Sequence, residues 1–374
     1  MLRGIHLTLL VGPAVPLPAP KPIMDALQGV TVTSAAGSQS GFQLTFAVNP
    51  HSPLHTLLLL AGGQVPWLRV MLVVTINGQP SVLMDGLVTH QEVTGSNDPG
   101  ASTLTVSGKD LSIAMDQQEF SGLPYPAMPA EARVALMIAK YAIFGMIPVV
   151  IPALFSDLPI PTDRIPVQQG TDLQYILKLA KDVGYVFYVE PGPAPGTNIA
   201  YWGPEVKVGP PQPALNIGMD AHSNCEGLSF KFNNEGRTLP IVYIQNALSK
   251  VAIPLPIPDV SLLNPPLALM PPLPKSIQFM NDTAKLSPLA ALSKGLAKAA
   301  GSSEVVTASG SLDVLRYGRP LKARSLVGVR GAGISFDGLY YVKSVTSTLK
   351  AGEFKQSFSL TRNGLVSTLP RVPV

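Results

Sequence analysis

DGLVTHQEV (Asp85–Val93) and DGLYYVKSV (Asp337–Val345) open on the same tripeptide and continue as strand-like runs. Their continuations are alike too. The first passes through TGSNDPG into STLTVSGKDL, ending at Leu111; the second passes through TLKAG into EFKQSFSLTRNGL, ending at Leu365. Each reads as a strand, a turn and a returning strand. Gly after Asp at a turn into a strand is ordinary turn chemistry. The tripeptide alone therefore does not separate chance from duplication. The whole strand–turn–strand pattern, placed near both ends of one chain, favours two related β regions over a repeated catalytic site.

Around these stretches the chain divides by pattern. Residues 1 to about 120 are β-rich: GFQLTFAV places Phe42, Leu44 and Phe46 on one face, and STLTVS does the same with Leu104 and Val106. Asn77-Gly78 lies between two apolar runs, and Asn-Gly accepts the positive φ angles of a tight hairpin turn. The opening segment, with Pro13, Pro16, Pro18 and Pro20, reads as a strand leading into an extended arm rather than as a signal peptide.

From about 121 to 225 the pattern changes. AEARVALMIAKYAIFG predicts a helix stopped at Gly145, with a short buried strand after it. In QQGTDLQYILKLAKDVGYVFYVEPG, Thr171 or Asp172 caps a helix whose apolar face is Leu173, Ile176, Leu177 and Ala180. Gly184 sits at its C-terminal cap, and YVFYVE follows as a strand. β character returns from 226 to 374. There GLSFKF and PIVYIQNA are strands, and LSPLAALSKGLAKAAG is a short helix. The returning strand of the second hairpin turns Phe354, Gln356, Phe358 and Leu360 to one side. Within this region a proline-dense, nearly uncharged arm, about 250–275, excludes helix or central strand and reads as extended chain lying on another surface.

Composition narrows the function. The chain has 374 residues, enough for two or three domains. Charged residues are only 13%, about half the usual share, which favours a subunit buried in an assembly. A net charge of +4, without basic runs, argues against nucleic-acid binding. The lone Cys225 excludes an internal disulfide or a cysteine-built zinc site and suits a reducing cytoplasm; it reads as a small, partly buried residue. The apolar stretch Val134–Phe155 contains Lys140, Gly145, Pro148 and Pro152, so it does not read as a membrane span.

Catalytic signatures are missing. His51 and His55 are four apart, but Pro53 lies between them and no HExxH glutamate follows, so they read as loop histidines. No Gly-x-Ser-x-Gly elbow or phosphate loop is present. The glycines of GVRGAG, Gly328, Gly331 and Gly333, read as tight turning before a strand. The carboxylates Asp116 and Glu119 form a pair of a kind any chain offers. A surface-binding β protein is disfavoured by the presence of only two tryptophans, Trp67 and Trp202.

Several of these patterns, in this order, resemble the phage late control D family, the baseplate hubs of contractile tails. Its relatives include the hub portion of the valine-glycine repeat spike proteins of type VI secretion. DGLVTHQEV through LTVSGKDLSIAMD, with Asp85, Gly86 and Asp110, looks like the family's first-barrel signature. Thr171, Asp172, Tyr175, Ile176, Leu179, Ala180, Gly184 and Tyr185 resemble its helix motif. The stretch from SGSLDVLRYGRP to SLTRNGL, with Tyr317, Gly318, Asp337, Gly338, Tyr340 and Arg362, is most similar to hubs of extracellular contractile injection systems.

The resemblance implies an α+β, β-rich fold: two tube-like β-barrel domains (1–120 and 226–374) with a small inserted α/β domain (121–225). It implies a homotrimer whose six near-equivalent barrels match a sixfold inner tube above and a threefold spike below. Implied partners are the inner tube protein, neighbouring baseplate subunits and translocated cargo, without nucleic acid, cofactor or direct membrane insertion. The expected setting is a phage tail-like particle assembled in the cytoplasm. Fused spike proteins continue into a needle, whereas this chain ends at PRVPV, so a separate spike protein is expected. The alternative reading is a tail-associated hydrolase or a surface-binding β protein.

Overall fold

A computed structural model describes residues 4–48, 67–96, 102–153, 159–162, 165–233, 237–245, 252–257, 265–280, 288–301 and 304–369. The first β region contains β1 (Ile5–Gly12), β2 (Leu17–Pro18), β3 (Leu27–Ala35), β4 (Gly41–Ala47), β5 (Arg69–Ile76), β6 (Gln79–Thr94) and β7 (Thr103–Asp110). The hairpin predicted at Asn77-Gly78 joins β5 to β6, with φ of 50° and 81° at the two turn residues. The expected extended arm after β1 instead folds back. β2 pairs with β1, and a short helix α1 (Lys21–Ala26) follows, begun by Pro22 in its first turn, where a missing amide hydrogen costs nothing.

The middle of the chain holds α2 (Ala130–Ala139), β8 (Met146–Val150), α3 (Asp172–Val183), β9 (Val186–Pro191) and β10 (Asn198–Gly203). The three strands form a small sheet in the order β8-β10-β9, with β8 parallel and β9 antiparallel to β10. Helix α2 stops five residues earlier than the pattern predicts. A 3-10 turn over Ala142–Phe144 then leads to Gly145, whose left-handed φ of 72° ends the segment. β8 is a sheet edge rather than a buried strand, and Ile147 is 52% exposed. Helix α3 starts where Thr171 Oγ1 accepts the Gln174 amide at 3.2 Å and ends at Gly184 in the left-handed conformation.

Next come β11 (Gln212–Asn216), β12 (Cys225–Phe232), β13 (Thr238–Gln245), β14 (Ala252–Pro256), β15 (Ala268–Met270) and β16 (Ser276–Met280). They are followed by α4 (Pro288–Gly301), β17 (Val306–Asp313), α5 (Val314–Tyr317), β18 (Leu326–Arg330), β19 (Gly338–Lys350), β20 (Glu353–Arg362) and β21 (Leu365–Ser367). The described part of the proline-rich arm supplies β14, an edge strand beside β13, and β15, which pairs with β21. Edge positions are where proline's missing donor is tolerated.

Thirteen strands make one large sheet. Its path runs β12-β17-β20-β19-β3-β4-β7-β6-β5-β1-β2, with β18 also beside β19 and β11 beside β18. No ring of strands closes among the described residues: β12 and β2 end the path, and β11 ends the branch through β18. β11, although it lies before residue 225, belongs to this large sheet. Two runs within the sheet have the same order. The first is β3-β4-β7-β6-β5-β1; the second is β12-β17-β20-β19-β18-β11. Neighbours are antiparallel throughout, except that β11 lies parallel to β18 where β1 lies antiparallel to β5.

One apolar core joins residues of both runs, including Val32, Phe42, Phe46 and Leu104 from the first and Ala308, Tyr340, Phe358 and Leu360 from the second. The face predicted for β20 is found: Phe354, Gln356, Phe358 and Leu360 are all buried. A second core, built on Met137, Ile138, Ile176, Ala200 and Trp202, takes in Leu87 of β6 and Leu111 just beyond β7. The helical unit thus packs on the first β region. Thr171→Ala removes the cap of α3 and is expected to lower unfolding stability by about 1 kcal/mol, measured by urea denaturation.

Candidate assembly interface

The residues singled out in the sequence form structural nodes. Asp85 is buried and takes a bidentate ion pair from Arg69, with nitrogen–oxygen distances of 2.7 and 2.6 Å. Asn198 Nδ2 of β10 donates to the same carboxylate at 2.8 Å, and Arg69 also donates to the Phe144 carbonyl. Gly86 lies opposite Asp110, so close to β7 that an added Cβ would meet the Lys109 carbonyl oxygen at 2.2 Å. Asp110 caps a 3-10 turn by accepting the amides of Ser112 and Ser40; burial pushes its carboxyl above the usual range despite those bonds.

In the helical unit, Asp172 is fully buried and accepts from Gln168, Lys140 and Tyr141. Arg133 donates to the Tyr175 hydroxyl, and Leu179 is buried in the same core. In the last region, Tyr317 donates to the Pro213 carbonyl at 2.6 Å, and Gly318 caps α5 with φ of 91°. Asp337 Oδ1 accepts the Ala332 amide. Arg362 is buried over the ring of Tyr340, 4.5 Å from its centroid, and donates to the carbonyls of Gly364, Asp337 and Ser335. At Gly338, with φ of 132°, an added Cβ would press on Ser367 and Arg362. Cys225 is buried, which pushes its thiol up to about 12. These groups face one another within the chain.

His51 and His55 lie outside the described residues. Among the described residues no cluster of three or more His, Cys, Asp or Glu can hold a metal, and no helix is long and apolar enough to cross a membrane.

Sequence reading missed a cluster of four charges. Lys343 Nζ lies 3.1 Å from Glu304 and 3.4 Å from Glu205; Lys207 Nζ lies 3.2 Å from Glu304 and 3.6 Å from Glu205. Burial disfavours the charge on Glu304, but Lys207 and Lys343 outweigh it and hold the carboxyl below its ordinary 4.5. The four residues are dispersed along the chain without a motif, so only folding brings them together.

What remains open is backbone. β6 and β19 each change partners midway and each carries a bulge on the side of the returning strand. The register between β6 and β7 skips Thr89, and that between β19 and β20 skips Lys343. Aligned on these bulges, Gly86 corresponds to Tyr340. The shared Asp-Gly-Leu tripeptide is therefore displaced by two residues between the two strands, which keeps the same face because side chains alternate.

Beyond its bulge, β19 is paired on both sides, with β20 and with β3. Beyond its own bulge, β6 pairs with β7 only, and β12 pairs with β17 only. β12 is the counterpart of β3. Among the described residues, the chain thus leaves free one edge of each kind that it joins internally.

No family model and no curated protein matches the sequence. Solved structures do. A tail protein of Neisseria meningitidis aligns with a TM-score of 0.62 at 15% identity, covering 97% of this chain and 98% of that one. A 43 kDa tail protein of prophage MuSo2 from Shewanella oneidensis aligns with a TM-score of 0.63 at 15% identity, over 96% and 99%. A chain of the Francisella PdpA–VgrG complex gives 0.56 at 7% identity, spanning all of this chain and 60% of that one. The chain therefore has the fold of phage tail proteins.

Two substitutions check these nodes. Asp85→Ala leaves Arg69 buried without its partner and is expected to cost about 3–5 kcal/mol in chemical denaturation. Glu304→Gln is expected to destabilise at pH 7, where the depressed carboxyl is ionised and paired. The gap to the wild type should close as the pH falls below 4.5 through the folded-state value, because the wild type then loses the same charge. A gap that persists in acid would show that packing, not charge, is what the substitution removed.

Proposed function

We propose that this chain is a non-enzymatic structural hub of a contractile injection system or phage-like tail. In this reading three copies form a ring that joins a sixfold inner tube to a threefold spike and lines the central conduit. The two β regions act as the tube-like domains, and the helical unit braces them from outside. The observation that carries the reading is the ladder between β3 and β19. It joins two runs of the same strand order side by side, a contact through which neighbouring units of a ring can meet. Three such chains supply six units.

Two further observations support it. The tail-protein fold extends over nearly the whole chain, not over one module. The large apolar side chains Leu269, Met270, Leu273, Ile277 and Phe279 are more than half exposed on β15, β16 and the segment between them. In an assembly these would lie against a neighbouring copy or a separate spike chain, and a VgrG protein is named in the Francisella complex that shares the fold.

Light scattering on the purified chain is expected to give three times the 39.4 kDa chain mass. Averaged electron images along the axis should show six lobes around a channel. A stable monomer across micromolar concentrations, or a closed globule without a channel, would overturn the hub reading.

A further inference from the structure

The two free edges point to each other. We propose that β12 of one copy adds to the outer edge of β6 of the next, in a register fixed by the β3–β19 junction already present within each chain. This inference rests on the hub reading above and names the surface through which copies join.

The ladders set the register. Val32 pairs with Phe42, which pairs with Gly108, which pairs with Val88. In the second run Phe230 pairs with Ala308, which pairs with Leu360, which pairs with Val342. Val88 and Val342 each precede the bulge. Phe230 is therefore the counterpart of Val32, and Lys231 that of Thr33. By the same steps Glu92 and Thr105 correspond to Thr346 and Ser357.

Within the chain, Val32 faces Ser347, Thr33 faces Thr346 and Thr31 faces Thr348. Carried over to the free edges, Phe230 faces Val93, Lys231 faces Glu92 and Ser229 faces Thr94.

The side chains fit this register. Glu92 and Lys231 are both exposed, and neither forms an ion pair among the described residues. Directly opposite on a ladder they form a favourable cross-strand pair. The equivalent position inside the chain is neutral: Thr33 and Thr346 share a hydroxyl–hydroxyl hydrogen bond of 3.2 Å. On the other face, Val93 is an exposed apolar residue at 45% and would be covered by the Phe230 ring. Exposed edges of this kind otherwise invite indiscriminate strand addition. Opposite charges at one rung admit the right register and penalise a slip by one residue, which would also turn Phe230 to the wrong face.

Each copy offers one edge of each kind, so the contact is head-to-tail. Such a contact closes into a ring only if the rotation it imposes returns to the start. The internal junction supplies a template for that rotation.

The test is a charge swap and a cross-link on the full chain, in purified form at physiological salt. Lys231→Glu and Glu92→Lys, each alone, are expected to weaken trimer formation by about tenfold or more, because three seams each gain a like-charge pair. The double variant is expected to restore it. Ser229→Cys combined with Thr94→Cys should give chain-to-chain disulfides under mild oxidation, with neither single variant doing so. A wild-type trimer that ignores the charge swap and does not cross-link would overturn the seam while leaving the hub reading standing. A wild-type monomer would overturn both.

Discussion

The antiparallel ladder between residues 29–35 and 344–350 is the constraint on which the rest of this structure depends. It closes a loop of over three hundred residues and places β3, otherwise the edge of the first run, against β19 in the second. Without it the chain would have two small sheets, each with exposed edges. With it there is one thirteen-strand sheet and one shared apolar core. A ladder between segments so distant in sequence gains little from local preference. Its register is held by side-chain alternation: Val30 and Val32 must face the core together with Val345 and Leu349.

Buried and half-buried charges then fasten the helical unit and its exit. Arg69 and Asp85 from the first region meet Asn198 of β10 and the carbonyl of Phe144, so a strand and a helix end of the insert share one polar node with β5 and β6. Beyond the insert, Glu205 and Lys207 meet Glu304 and Lys343 of the second region. Lys343 is the residue that the bulge of β19 sets out of register. A bulge re-aims one side chain without disturbing the alternation on either side of it for long. Here it sends a lysine toward two carboxylates. The charged groups of both nodes find their partners within the chain, which suits fastening, while Asn198 Oδ1 is buried without a partner.

Much of the fold was legible in local pattern. The alternation in β4, β7 and β20, the Asn77-Gly78 turn and the cap residues Thr171 and Gly184 are all local physics, and the structure has them. The repeated tripeptide led to the right pair of strands, yet the ladders place Asp85 and Asp337 two residues out of step. Matching letters tracks residue identity, whereas the bulges track hydrogen bonds. The early end of α2 and the return of β2 onto β1 were not read from the sequence, and the edge position of β8 was not legible because its partner β10 lies far along the chain. The free edges of β6 and β12 could not be seen at all. Openness is a property of the whole sheet, and no residue type marks it.

One difference between the two runs has a geometric consequence. Five strands correspond, and the sixth reverses: β1 runs against β5, while β11 runs along β18. In the proposed ring of three chains, the sectors can thus be counted in two ways. Along the matched strands every sector looks alike, and a visitor approaching that side meets six similar seats. At the margin formed by β1 and β11, alternate sectors point opposite ways, and the same circle offers only three. For the proposed ring, the direction of a single strand is enough to let one body carry both numbers.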